Sequence, residues 1–117
     1  MPAGIWNIIA DQGATFQRVV TWRDKDGNLQ NLTGFTARMQ VRDTTDDTDG
    51  AVLELTTENS RITLGGVAGT IALLVNATTM AAVTAGQYVY DMELVSSAGI
   101  VTRLVQGTFV VDPEVTR

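Results

Sequence analysis

The sequence predicts an all-β fold, an antiparallel β-sandwich of about seven or eight short strands, on three observations. Its 117 residues suit a single domain, 1–117, in which folding buries roughly two thirds of the surface that the unfolded chain exposes. Several segments alternate apolar and polar residues with a period of two, as half-buried strands require. Turn signals rich in Gly, Asn and Asp separate those segments. With 44% hydrophobic and 18% charged residues the chain is too apolar for a disordered one.

Residues 1–12 are read as a first strand or an N-terminal arm. Ile5, Trp6, Ile8 and Ile9 lie close together there, and such side chains must either join the sheet or bury in a neighbour. Phe16, Val20 and Trp22 then share one face of a strand that runs into Asp24-Lys25-Asp26-Gly27-Asn28, a tight turn. The chain folds back through Leu29 and Leu32 to a corner at Thr33-Gly34. In residues 35–42, Phe35, Ala37, Met39 and Val41 face one way and Thr36, Arg38, Gln40 and Arg42 the other. Leu53 and Leu55, then Ile62 and Leu64, then Ile71, Leu73 and Val75 mark three short strands, the last two joined by a turn at residues 65–69.

The β pattern lapses after Asn76, where residues 77–84 offer at most one helical turn with a capping side chain before it. Tyr88, Tyr90, Met92 and Leu94 form the apolar face of the next strand. Ser96-Ser97-Ala98-Gly99 turns the chain into a last run, residues 100–111, that is apolar on both faces. That pattern predicts a central strand with a bulge near Gly107, or a face covered by another subunit. The architecture is immunoglobulin-like, without the paired cysteines and buried tryptophan of true immunoglobulin domains.

The composition speaks against most chemistry. There is no histidine, so the commonest general base near neutral pH and the commonest zinc ligand are both missing. No cysteine is present to form a disulfide or a thiolate nucleophile. Asp91 and Glu93 sit two apart on one strand but on its polar side, which favours pairing with arginine over catalysis. The loop at residues 43–50 carries Asp43, Asp46, Asp47 and Asp49, oxygen ligands of the kind calcium takes, in a spacing that matches no EF-hand. No glycine run precedes a helix that would hold a phosphate. The expectation is a non-enzyme with no catalytic residue, no metal site and no cofactor.

The net charge is −5, and the seven arginines and one lysine are scattered, so no basic patch serves a nucleic-acid backbone. No apolar run reaches the roughly 18 residues of a membrane helix, and Met1-Pro2-Ala3-Gly4 does not open like a secretory signal. Neither nucleic acid nor membrane is an expected partner.

A resemblance carries the expectation further. Gly13-Ala14-Thr15-Phe16, Val20-Thr21-Trp22, residues 32–42, Ile62-Thr63-Leu64, Gly69-Thr70-Ile71, residues 85–91 and Gly107-Thr108-Phe109-Val110-Val111 together resemble small virion proteins of tailed phages and prophages. They are similar to the N-terminal module of the phage baseplate upper protein. The resemblance implies a β-sandwich made in the host cytoplasm and built into the particle at a tail, baseplate or head surface. It implies other virion proteins as partners and no active site. The chain stops at Arg117, without the downstream region that leads to a receptor-binding protein.

Copies of the chain itself are further expected partners, through a subunit interface drawn from Ile5, Trp6, Ile8, Val101, Val105 and Phe109. The alternative function is a carbohydrate- or receptor-binding sandwich that stacks exposed aromatics on its ligand.

Overall fold

The computed structural model describes residues 3–44 and 50–116, so most of the acidic loop considered above lies outside the described residues. The described chain holds β1 (Gly4–Ile5), β2 (Ile8–Asp11), β3 (Phe16–Thr21), β4 (Thr36–Arg42), β5 (Leu53–Thr56), β6 (Ile62–Leu64), β7 (Thr70–Val75), β8 (Gly86–Val95) and β9 (Val101–Asp112). A 3-10 turn, Gly66–Ala68, joins β6 to β7, and α1 (Ala77–Ala82) joins β7 to β8. The Asn76 side chain caps α1 by accepting from the Thr79 amide at 2.8 Å, as the sequence predicts.

The strands form two sheets. One runs β1-β9-β8-β4-β5, with β2 also on β9, and the other runs β3-β7-β6. Strands three, seven and six facing strands nine, eight, four and five is an immunoglobulin-like β-sandwich with an extra edge strand, of the kind variable domains carry. Near the start of β8, the Tyr88 hydroxyl donates back to the Thr84 carbonyl, the tyrosine corner of such sandwiches.

The core lies between the sheets and is apolar throughout; no polar or charged residue is buried among the described residues. Phe16 on β3 meets Phe109 on β9 edge to face at 5.4 Å, and Phe109 meets Tyr90 on β8 at 6.3 Å. In a chain without cysteine, this aromatic row spans the two sheets. Leu32 is buried as part of the same core, whereas Leu29 is left largely exposed.

Three expectations need correction. The sandwich is not wholly antiparallel: β1 and β2 pair with β9 in parallel, Ile5 opposite Gln106 and Ile8 opposite Phe109. Nor are all strands short, since β8 and β9 run for 10 and 12 residues. The bulge in β9 lies at Leu104 and not near Gly107, because Met92 pairs with Val105 while Glu93 already pairs with Arg103. Leu104 is the extra residue, so it and Val105 both pack against the core. The apolar-both-faces pattern comes from this change of phase together with the central position of β9.

Gly107 has a different task. Between β1 and β2 the chain turns the Trp6 carbonyl inward to accept from the Tyr90 hydroxyl, and the Asn7 side chain accepts from the Thr108 amide at 3.0 Å. A Cβ on Gly107 would sit 2.5 Å from the Trp6 carbonyl oxygen and 2.7 Å from Asn7 Oδ1. The glycine therefore keeps the N-terminal strand close.

Two arginines of the smaller sheet close the seams of the sandwich. Arg18 donates to the Ile9 carbonyl on β2 at 2.9 Å, and Arg61 donates to the Glu54 carbonyl on β5 at 2.9 Å. Each occupies an edge carbonyl that would otherwise template a foreign strand. Gly107→Ala is expected to destabilise the fold by about 1–3 kcal/mol, the usual range for overpacking, read from urea unfolding; an unchanged midpoint contradicts this account of the N-terminal strand.

Candidate functional site

Strand registers fix the composition of the outer face of the six-stranded sheet. Outward positions of β4 and β5 carry Arg38, Gln40, Arg42 and Glu54. On β8, Asp91 and Glu93 point the same way, and on β9 so do Arg103, Gln106 and Thr108. Arg38 pairs with Glu93 at 2.8 Å and Arg103 with Asp91 at 3.3 Å. Exposed pairs of this kind contribute about 0–1 kcal/mol each, so they fix side-chain positions more than they stabilise the fold. The Gln40 amide donates to Glu54 at 2.7 Å, and its oxygen accepts from two nitrogens of Arg42. The β4–β5 half of the face is thus ionic.

The other half sets exposed apolar side chains among polar ones. Ile5 on β1 and Ile9 on β2 stand 70% and 61% exposed, and Val101 on β9 is 49% exposed. Val95 lies opposite Val101 and Val110 beside Ile9, both half-buried on the same side. Between the halves is an open concavity of about 580 Å³, floored by Val89, Gly107 and Thr108 and walled by Ile5, Gln40, Arg42 and Arg103. It exists because its central residues are small while those at its rim are long.

The structure separates the six interface candidates. Ile5 and Val101 are exposed on this face. Trp6 and Val105 are half-buried and pack against the core from within. Ile8 and Phe109 are 2% and 0% exposed and fill the chain's own core, so they are not available to a partner. The parallel register puts Ile8 inward with Phe109 and Ile9 outward with Val110, so the outward pair is one that the sequence reading did not name. The alternation Ile8-Ile9-Ala10-Asp11 held the signal, but not which side was inner.

Among the described residues no group of acidic side chains is placed to hold a metal ion. In the tight turn at Gly27, the Asp24 carboxylate accepts from the Asp26 and Asn28 amides at 2.9 and 3.0 Å. Burial pushes the Tyr90 phenol far above its ordinary range, and burial followed by the Asp43 carboxylate pushes Tyr88 upward as well.

No family model matches the chain, and no curated protein matches it. Solved structures that resemble it include CopC from Methylosinus trichosporium OB3b, 13% identical over 89% of this chain and 99% of that one, with a TM-score of 0.41. Tim-1 is 14% identical, with 100% of this chain and 99% of that chain covered and a TM-score of 0.44. Extracellular domains 3–5 of Drosophila OTK are 18% identical over 97% of this chain and 33% of that one, with a TM-score of 0.32. Likeness at this level carries no weight for function, and the fold rests on the strand order given above.

Both tyrosines tie stability to alkaline pH. The unfolded chain loses its phenol protons near pH 10, while the folded chain, with both values raised, keeps them longer. Stability is therefore expected to hold below about pH 9 and to fall as pH rises past 10. A Tyr88→Phe/Tyr90→Phe variant should lose part of that fall and, at pH 7, about 0.5–1.5 kcal/mol per hydrogen bond removed. Urea unfolding across pH 7–11 checks this; an unaltered pH slope in the double variant contradicts it.

Proposed function

We propose that this chain is a non-catalytic assembly module of a tailed-phage particle, held in place through the outer face of its six-stranded sheet. The observation that carries the reading is the exposure of Ile5, Ile9 and Val101 on one face of a sandwich whose core closes without them. Exposed apolar side chains set among charged and polar ones suit a protein interface. The resemblance of the strand and turn segments to tailed-phage virion proteins supplies the setting.

A saccharide-binding role has less support. Every aromatic side chain belongs to the core or packs against it, Trp6 and Trp22 included, and so none is offered as a stacking platform on the outer face.

Particles released from cells that carry the coding sequence, banded by density and probed for this protein, test the proposal. The protein is expected in the particle band. An Ile9→Glu/Val110→Glu variant of unchanged melting temperature is expected to leave it, because both positions face outward. A wild-type chain absent from the particles refutes the reading.

A further inference from the structure

The outer face of the six-stranded sheet carries opposite charges towards its two ends. Outward positions along β9 read Val101, Arg103, Gln106, Thr108, Val110 and Asp112 in order. A cation stands near one end and a carboxylate at the other. Asp11 on β2 lies directly beside Asp112, and both are exposed. Like charges opposite one another on neighbouring strands repel, and neither aspartate has an ion-pair partner among the described residues. Arg103 meets Asp91 through Nε, which leaves the terminal nitrogens of its guanidinium for another acceptor. The apolar side chains follow the same order: Ile5, beside Gln106, and Ile9, beside Val110, stand at equal distances along the strands on either side of Thr108.

We propose that a second copy of this chain docks on this face, about a two-fold axis that crosses β9 near Thr108 at right angles to the strands. Such an axis keeps β9 over β9 and reverses its direction. The row of Ile5 and Gln106 then lies over Ile9 and Val110 of the second copy, which sets isoleucine against isoleucine, while the hollow over Thr108 lies on the axis and faces its own copy. Arg103 lies over Asp11 and Asp112 of the second copy. Every contact occurs twice, as an isologous interface requires. The unpaired aspartates gain a counter-charge, and the exposed isoleucines leave water. This proposal rests on reading the outer face as the docking surface and names what docks there.

Light scattering after size exclusion, across a wide concentration range, reads the dimer. Arg103→Glu and Asp11→Lys/Asp112→Lys are each expected to raise the dissociation constant at least about tenfold, because each sets like charges face to face twice. The triple variant, with the charges exchanged, is expected to regain the dimer. An equimolar mixture of the two weakened variants is expected to form a heterodimer. These recoveries separate loss of contact from loss of fold. A wild-type chain that stays monomeric at millimolar concentration overturns the proposal, as does a dimer indifferent to all three variants. Either result leaves the phage-particle reading standing, since docking onto a preformed surface needs no free dimer. A wild-type dimer that is absent from particles refutes that reading instead.

Discussion

Strand β9 is hydrogen-bonded along both of its edges, to β8 on one side and to β1 and β2 on the other. Its second edge is filled by a segment from the far end of the chain, and holding that segment in place takes several groups acting together. Tyr90 reaches from β8 past β9 to the Trp6 carbonyl, Asn7 substitutes its side chain for a backbone acceptor, and Gly107 leaves the room that both need. The Gln12 side chain adds two more ties, donating to the Val83 carbonyl and accepting from the Glu114 amide. An apolar contact alone would not set the register. These directional bonds do, and a slip of one residue would turn Ile8 out and Ile9 in.

The composition of the outer face follows from that register. Because Ile8 and Ala10 go to the core, Ile5 and Ile9 are left outside beside the outward positions of β9. Because Leu104 is inserted as a bulge, Arg103 comes out on the same side as Gln106 and within reach of Asp91. Without the bulge Val101 and Arg103 would share the inward parity of Val105 and Phe109. The order of side chains along that face therefore depends on one extra residue and on the parallel pairing of β1 and β2. At the seams, meanwhile, Arg18 and Arg61 occupy edge carbonyls, so association through the sheet face is left open while strand addition at those points is discouraged.

The sequence by itself determined the all-β class, the inner face of β4 and β8, the tight turn at Gly27 and the capped helical turn after Asn76. Each is a local matter, in which alternation or a side chain reaching its own backbone states the outcome. Of the interface candidates Ile5, Trp6, Ile8, Val101, Val105 and Phe109, only Ile5 and Val101 are exposed. Only the tertiary structure decided that the first strand pairs in parallel, that Ile8 and Phe109 are core, and that Ile9 and Val110 are surface. Those outcomes depend on which strand lies beside which, across about a hundred residues of chain between Ile8 and Phe109. A period of two says that neighbouring residues face opposite ways; the partner strand alone says which way is in.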